Sequence, residues 1–456
     1  MADSNKQREK FSSKFGVLMA MAGSAIGLGN MWRFPYLTAE NGGAAFILIY
    51  VVLMCTMSLP LFITEFLIGR RTRSNAIGAF SKLGFPKLKF IGAFGVLAAV
   101  CVLSFYSVVG GWAVKYLTLA VSFRFQSPAA DYAGMFNSFV SSAWSPVIFT
   151  LIFIGATSYI ILGGVKQGIE KFSKVMMVIL FIIIIVVAIR AVTLPGAMDG
   201  IRYLFVPDFR KVTGSTIVAA LGQSFFSLGL GCGTILIYGS YVKSQDDITT
   251  SSIATAFLDT MFAIVAGIAI IPAIFAIASI NGTVPDVNAG PGLVFITLPG
   301  IFSSMPFGNI AAILFFLSLL LAAITSSVSL MESITAFFIE RYGKSRTVSV
   351  LMAFAICGTI GIFCSLSQGP LAEVRLLGLN LFDFFDKTSS NVLMTFSGLF
   401  MLCFAGWIMK KEDFMDELGA HGHSSTAMWL QKTFYILVRY IAPFGVIAII
   451  LGNLLL

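Results

Sequence analysis

The chain has 456 residues, of which 57% are hydrophobic and only 11% are charged, and its mean hydropathy is +0.92. Soluble domains carry a charge on about a quarter of their residues, so this composition excludes a soluble globular protein and predicts a polytopic membrane protein. The formal net charge of +9 comes from lysines and arginines dispersed in short groups between apolar runs. This dispersal does not favour nucleic-acid binding and fits the excess of basic residues on cytoplasmic loops.

Apolar runs of about 20 residues, the length that crosses a bilayer, recur along the whole chain. The first run is expected to be retained, because about 25 apolar and small residues follow a basic start without a signal-peptide cleavage site. We predict an all-α polytopic membrane protein with eleven spans, at residues 12–37, 43–69, 90–121, 144–163, 168–192, 215–241, 252–279, 308–338, 348–366, 378–407 and 433–455.

The middle of the first span has the composition of an interrupted helix. Residues 23–30 read GSAIGLGN, with three glycines and two small polar residues. Each glycine costs roughly 1 kcal/mol relative to alanine in a helix interior. Backbone groups released in hydrocarbon need partners within the protein, and such backbone is tolerated only where it lines a cavity. We therefore predict that the helix opens here and binds an ion and a polar solute.

The sixth span repeats this feature, since residues 223–233 read QSFFSLGLGCG. Five spans separate the two stretches, so they enter the membrane from opposite sides. Spans one to five and six to ten are accordingly predicted to be inverted copies that meet at two broken helices. The alternative is that each glycine cluster only lets neighbouring helices approach closely. One cluster alone would favour that alternative, whereas two clusters at matching positions favour the breaks.

Basic residues near the span ends set the predicted orientation. Twenty lysines and arginines fall on the side of the amino terminus and six on the other side, which predicts a cytoplasmic amino terminus. The predicted organisation is a cytoplasmic segment (1–11), a first repeat (12–192), an extracellular loop (193–214), a second repeat (215–407), a cytoplasmic loop (408–432) and a final span (433–456).

Four ionisable residues near the span ends are candidate gates, since charged groups at membrane depth are expensive and usually functional. Arg33 follows the first predicted break by one turn, and Asp383 opens the tenth span. We predict that this pair closes the exterior side. Arg8 and Glu340 form a second predicted pair on the cytoplasmic side, for which ordinary surface ion pairing is an equal alternative.

Oxygen-bearing side chains inside the spans are candidate cation ligands. The eighth span contains AAITSSVS at residues 322–329. Its hydroxyls have two interpretations, because serine and threonine in helices often only bond back to the preceding turn, yet hydroxyls and carbonyls are also the ligands of a hard monovalent cation. Asp259, together with Asn30 and Ser227 from the two breaks, predicts a second oxygen cage.

Several motifs resemble the neurotransmitter:sodium symporter family, the LeuT-like amino-acid transporters. They are GSAIGLGNMWRFP at 23–35, ENGG at 40–43, the sixth-span stretch at 223–233, LPGIF at 298–302 and TSS at 325–327. The resemblance runs in order through nearly the whole chain. It implies a LeuT-type 5+5 inverted repeat with helices 1 and 6 broken, and symport of sodium with an amino acid across the bilayer.

The resemblance also implies the site residues. The first sodium site would use Ala25, Asn30, Ser227, Asp259 and the substrate carboxylate. The second would use the carbonyls of Gly23, Ile26 and Ala322 with the hydroxyls of Thr325 and Ser326. The substrate would contact Ala25, Gly27, Leu28, Gly29, Val102, Tyr106, Phe226, Ser227, Gly229, Cys232, Ser326 and Leu330, with Tyr106 and Phe226 as its lid.

Departures from other family members narrow the expected substrate. Monoamine carriers have an aspartate where this chain has Gly27, so the substrate here is expected to supply its own carboxylate. Gly229 and Cys232 leave room for a larger side chain, and no pocket residue offers a charge. We therefore predict a neutral, hydrophobic L-amino acid, branched or aromatic. Ala263 replaces the serine of chloride-dependent members and Asp259 supplies a fixed negative charge, which predicts chloride independence.

Three other functions are weighed against sodium symport. A transporter of the same architecture driven by protons or exchange would use Asp259 and Glu332 as titrating groups, but the hydroxyl pair in the eighth span favours sodium. A membrane aspartyl protease would need Asp383 and Asp386, which lie near the end of one helix, and no other catalytic motif occurs. The absence of a repeated pore filter disfavours an ion channel. The eleven-span form is typical of bacterial members, which predicts a bacterial inner membrane; the oligomeric state is not predicted.

Overall fold

The structure is a computed structural model that describes residues 9–125, 127, 130–283 and 293–455. Within these residues nine helices are long and apolar enough to cross a membrane, and a bent helix pair, Lys14–Ala25 and Gly29–Glu40, makes ten. The nine are Ala44–Thr72, Pro86–Val121, Ser145–Leu162, Gly164–Val192, Ile248–Ile280, Gly308–Tyr342, Arg346–Leu366, Leu381–Ile408 and Met428–Gly452.

The sixth predicted span consists of two shorter helices, Gly214–Ser227 and Thr234–Ser240. They are not among the ten, so the count of eleven spans and the inverted repeat remain predictions. The other predicted boundaries agree with the observed helix ends to within five residues. The connecting elements are the helices Ala76–Lys82, Tyr132–Val140, Ala197–Phe205, Phe209–Lys211, Thr297–Ser304, Lys411–Leu418 and Ala420–Gly422, and an antiparallel hairpin of strands Arg375–Leu376 and Leu379–Asn380.

The third and eighth spans, Pro86–Val121 and Gly308–Tyr342, share the most extensive helix contact and form the centre of the bundle. Small residues allow other helices to approach this centre. A Cβ at Gly69 would overlap the carbonyl oxygen of Leu236, so the second span lies directly against the backbone of the sixth. Such packing is expected in lipid, where helix association depends on close van der Waals contact.

Residues 9–13 close the end of the bundle at which the chain begins, which we call the amino-terminal face. Phe11 is buried, with its ring centroid 5.8 Å from that of Tyr238. Its backbone N–H donates to the carbonyl of Tyr241 at 3.2 Å. The Ser12 backbone N–H and hydroxyl donate to the buried carboxylate of Glu170 at 2.7 and 2.6 Å. The other end, which carries Arg33, is called the opposite face.

Candidate functional site

The first span opens at residues 26–28, as predicted, and its two helical halves are bent by 52°. Side chains from other helices bond to the released backbone groups. The Leu28 N–H donates to the Tyr106 hydroxyl at 3.1 Å, and the Gln223 amide donates to the Gly29 carbonyl at 3.0 Å. The Gly27 N–H donates to the Asn30 side-chain oxygen at 3.0 Å. The opening is therefore held by partners within the protein, as hydrocarbon requires.

The sixth span opens at residues 228–233 by a different means. Gly229, Gly231 and Gly233 have φ values of +63°, +80° and +67°, which side-chain-bearing residues rarely adopt. The Gly231 N–H donates to the buried carboxylate of Glu65 at 2.6 Å. Glu65 had no partner that could be read from the sequence, and the structure supplies one in the released backbone.

A charged cluster lies between the two breaks, formed by Asn30, Ser227 and Asp259. The Asn30 amide nitrogen is 2.7 Å from one Asp259 oxygen and 3.1 Å from the Ser227 hydroxyl. Ser227 donates to the other Asp259 oxygen at 2.9 Å. Tyr50, which the sequence analysis missed, donates to that same oxygen at 3.3 Å.

The charged cluster fits a monovalent cation. The Asp259 side chain is fully buried, and no lysine or arginine nitrogen of the described chain lies within 4.0 Å of it. Removing one partner of a buried charge pair is strongly destabilising, so an unneutralised carboxylate at this depth is costly and a bound cation would offset that cost. The carboxylate and hydroxyl oxygens are hard ligands, which suit sodium, whereas Asn30 presents its amide nitrogen to the cluster and its oxygen to the Gly27 N–H.

A neutral cluster joins the first break to the eighth span. The Ser326 hydroxyl lies 3.3 Å from the Gly23 carbonyl and 3.1 Å from the Ile26 carbonyl. The Thr325 hydroxyl donates back to the Ala322 carbonyl at 3.0 Å, the local bond that helical threonines often make. The five predicted ligands of the second sodium site thus form two hydrogen-bonded oxygen groups, which adjacent residues Thr325 and Ser326 join, and none of the five carries a charge.

A central cavity of about 50 Å³ lies between the breaks, and all twelve predicted substrate residues line it. Its remaining lining residues, which the sequence analysis missed, are Ser24, Thr234, Ser329 and Met394. Ser24 belongs to the broken stretch at 23–30 and Ser329 to the hydroxyl-rich stretch at 322–329, so their neighbours in sequence could have indicated that they line the cavity. Thr234 and Met394 offered none. No lining residue is charged, and the Ser24 hydroxyl is buried without a partner in the described chain.

A distal cavity of about 380 Å³ opens beyond the central cavity, towards the opposite face. Leu28, Gly29, Tyr106 and Phe226 line both cavities, so these residues separate the two spaces. The guanidinium carbon of Arg33 lies 4.9 Å from the centroid of the Phe226 ring. Phe226 and Tyr106 therefore occupy the position predicted for a lid beneath Arg33.

Arg33 and its predicted gate partner Asp383 both line the distal cavity. No described carboxylate lies within 4.0 Å of Arg33. Asp383 begins a helical turn and is engaged by Asn380, whose amide donates to its carboxylate at 2.9 Å. Asp386, one turn further along, also lines the distal cavity, and its carboxylate accepts a hydrogen bond from the Ser390 hydroxyl at 3.2 Å. Two carboxylates therefore share this cavity with Arg33, and closure of Arg33 onto Asp383 remains a prediction.

The second predicted gate lies partly outside the described residues, because Arg8 is not among them. Glu340 accepts hydrogen bonds from the Ser74 hydroxyl at 3.0 Å and the Asn75 backbone at 2.9 Å. The amino-terminal face also contains a pair that sequence reasoning missed. An Arg346 nitrogen lies 2.5 Å from the buried carboxylate of Glu332. In the described chain, no other lysine or arginine pairs with this carboxylate.

Two broken helices around a buried oxygen-lined cavity are the architecture of secondary transporters. Comparison with protein families agrees, because the model of the "sodium:neurotransmitter symporter family" matches residues 8–139 and 136–455. The chain belongs to this family and is a multi-pass membrane protein of a sodium-dependent transporter class, not of an enzyme class.

Individual relatives cover nearly the whole chain. An uncharacterized sodium-dependent transporter, YhdH of Bacillus subtilis, is 37% identical over 98% of both chains. An uncharacterized sodium-dependent transporter of Haemophilus influenzae is 33% identical over 100% of both. Among solved structures, the crystal structure of MhsT in complex with L-phenylalanine has a TM-score of 0.89 and 39% identity, and covers 98% of this chain and 100% of that one.

Proposed function

We propose that this protein is a sodium-coupled symporter that imports a neutral, hydrophobic L-amino acid by alternating access and does not require chloride. The observation that carries the proposal is the charged cluster, in which a buried carboxylate without a cationic partner in the described chain lies beside a cavity whose described lining is uncharged. A zwitterionic substrate and a cation can then share ligands. Sharing couples their binding, because each binds more tightly when the other is present.

The backbone at Gly27 supports an amino acid over an amine. A Cβ built on Gly27 would approach the Ser326 hydroxyl to 2.5 Å and the Tyr106 hydroxyl to 2.8 Å. Position 27 therefore has no room for a carboxylate side chain in this arrangement. The carboxylate that completes the charged cluster would come from the substrate, oriented by the Tyr106 hydroxyl and the Leu28 backbone.

A large apolar side chain on the substrate is supported by the space at Gly229. A Cβ there would meet only the Thr234 hydroxyl, at 3.8 Å. Cys232 and Val102 present small apolar surfaces to the same cavity. The related MhsT structure contains L-phenylalanine, which is consistent with an aromatic or branched substrate here.

Two sodium ions are proposed as cargo, one at the charged cluster and one at the neutral cluster. The charged cluster already carries a fixed negative charge on Asp259, and Ala263 one turn later offers no hydroxyl for an anion. Chloride is therefore not needed to balance the first cation. Each positive charge moved inward through 100 mV releases about 2.3 kcal/mol, which drives accumulation of the amino acid.

Alternating access would use the two ends of the bundle as gates. With the amino terminus in the cytoplasm, the distal cavity faces the exterior and closes when Arg33 approaches Asp386 above Phe226. Release inward would require residues 9–13 to separate from Tyr241 and Glu170. The two proposed inverted repeats are residues 12–192 and 215–407. The proposed location of the protein is a bacterial inner membrane.

Uptake by purified protein in proteoliposomes tests the proposal. Labelled L-phenylalanine should accumulate under an inward sodium gradient, hydrophobic amino acids should compete best among the twenty standard ones, and gluconate should replace chloride without loss. Accumulation that ignores sodium but follows a proton gradient would instead establish the proton-driven alternative.

The gate on the opposite face is tested by two matched variants. Asp386→Asn should slow uptake more than Asp383→Asn does. The reverse order would support Asp383 as the residue onto which Arg33 closes.

A further inference from the structure

A cavity of about 620 Å³ on the opposite face shares no lining residue with the central or distal cavity. It lies between the end of the third span, the short helix Tyr132–Val140 and the start of the fourth span. Its polar lining residues are Lys115, Tyr116, Arg124, Ser138, Ser142 and Ser145. None of the substrate or sodium residues discussed above belongs to it, so this cavity has no role in the proposed transport cycle.

Among the described residues that line it, the cavity carries two positive charges and no acidic side chain. Lys115 lies six residues before the end of the third span at Val121, about 9 Å along the helix axis. Its ammonium group contacts the rings of Phe139 and Phe149, 5.8 and 5.4 Å from their centroids. No described carboxylate lies within 4.0 Å of Lys115 or Arg124. A cation inside a span without a counter-charge is costly and marks a candidate functional group.

Hydroxyl groups complete an anion-binding environment. Tyr116 lines the cavity but is 1% exposed, and its hydroxyl is buried without a hydrogen-bond partner in the described chain, so the accessible hydroxyls are those of the serines. Three serines line the same space, of which Ser142 bonds the Phe139 carbonyl. Cationic nitrogens combined with hydroxyl donors are the groups that bind phosphate oxygens, and charge-assisted bonds of this type are roughly twice as strong as neutral ones.

The surroundings of the cavity place it at the level of lipid headgroups. Trp144 stands between two of the lining serines and is 77% exposed, as expected for a tryptophan at the membrane interface. Ile148 and Ile152, both exposed, follow Trp144 at four-residue intervals and continue the same helix face towards the membrane centre. An apolar stripe that descends from a basic cavity matches a molecule with an anionic head and an acyl chain.

We propose that this cavity binds the phosphate of an anionic phospholipid from the leaflet on the opposite face, with its acyl chain along the stripe of Trp144, Ile148 and Ile152. Lys115 and Arg124 hold the phosphate, and the hydroxyls orient it. The bound lipid fixes the position of the helix Tyr132–Val140 against the third and fourth spans. The proposal is independent of sodium coupling and of substrate identity.

Lipid retention tests this proposal. The full-length protein is purified from nanodiscs containing phosphatidylglycerol and phosphatidylcholine, and the retained lipid is counted by native mass spectrometry. Lys115→Gln combined with Arg124→Gln should weaken phosphatidylglycerol retention roughly thirtyfold, since each basic residue near an anionic surface contributes about fivefold. The matched control is Arg202→Gln combined with Arg210→Gln, which removes two exposed cations that have their own carboxylate partners. Equal retention by both double variants would overturn the proposal.

Two further experiments test whether the loss of lipid comes from misfolding and whether the ligand is a lipid or free phosphate. Arg124→Gln alone, at an exposed position, and Lys115→Arg, which keeps the charge, guard against loss of fold: the first should weaken retention partly and the second should preserve it. Inorganic phosphate added to detergent-solubilised protein should not reproduce the thermal stabilisation given by phosphatidylglycerol. Equal stabilisation by phosphate would show a site for the free anion and would contradict the lipid assignment.

Discussion

The charged cluster of Asn30, Ser227 and Asp259 and the neutral cluster around Thr325 and Ser326 both touch the first break, yet they are built differently. The charged cluster is made of side chains that bond to one another across three helices, with a single carboxylate as the common acceptor. The neutral cluster depends mainly on backbone carbonyls, which no substitution removes. Side-chain changes should therefore cost more in the charged cluster.

The largest effect is expected for Asp259→Ala. Removing one partner of a buried charge pair costs roughly 2 kcal/mol or more, so sodium affinity should fall at least about 30-fold and uptake should be lost. Sodium-dependent binding of labelled L-phenylalanine measures the change. Asp247→Ala, at the start of the same helix, is the matched control and should leave sodium affinity intact. Unchanged sodium dependence in Asp259→Ala would refute the assignment of the charged cluster.

The chloride dependence of uptake tests whether the Asp259 carboxylate takes the place of a chloride ion. In Asp259→Asn combined with Ala263→Ser, the fixed charge is gone and a hydroxyl is available to an anion one turn away. Uptake by this double variant should require chloride, whereas wild-type uptake should be the same in chloride and gluconate. Failure of the wild-type protein in gluconate would show that the carboxylate does not substitute for chloride.

A smaller loss is expected in the neutral cluster. Ser326→Ala and Thr325→Val each remove one hydroxyl while the carbonyls of Gly23 and Ile26 stay in place. A single neutral hydrogen-bonding group contributes about 1 kcal/mol, so each variant should lower sodium affinity roughly fivefold. Ser327→Ala is the control, because that hydroxyl bonds Thr157 instead. A loss of sodium affinity larger than that of Asp259→Ala would show that the neutral cluster, and not the charged one, is more sensitive to side-chain changes.

The smallest effect is expected for Tyr50→Phe. The Tyr50 hydroxyl lies 3.3 Å from an Asp259 oxygen that Ser227 already approaches to 2.9 Å, so it is the weaker of two donors. Its removal should change sodium affinity only about twofold, because a 3.3 Å separation is long for a hydroxyl donor and the bond is correspondingly weak. Sodium titrations of the wild-type and variant proteins, run side by side, resolve a difference of this size. A tenfold loss would make Tyr50 a principal organiser of the cluster.

Much of the site was predictable because its signals are local. Glycines and small polar residues in the middle of two apolar runs predict interrupted helices wherever they occur, since the cost of glycine and the demand for backbone partners act within one span. The resemblance of the sequence motifs supplied the residues that line the central cavity, and all twelve of them do so.

The sequence could not show the partner of a polar side chain where that partner lies in a distant segment or where the side chain takes part in helix capping. Asp383 and Asp386 look equivalent in sequence and both line the cavity of Arg33, but the Asn380 side chain donates to the first and the Ser390 hydroxyl to the second. Tyr50 lies 209 residues from Asp259 along the chain and gave no signal of its role. Lys115 lies within the third span, and its significance emerged only because no described carboxylate lies within 4.0 Å of it.

The sequence by itself determined where the chain crosses the membrane, which crossings are interrupted and which residue types surround the interruptions. These properties follow from hydrophobic length and backbone cost, which are summed over neighbouring residues. Only the tertiary structure decided which buried polar groups meet, such as Glu65 with Gly231 and Glu332 with Arg346. Each buried polar atom must find a partner, and several partners of the same type are available until helix packing brings one of them within reach.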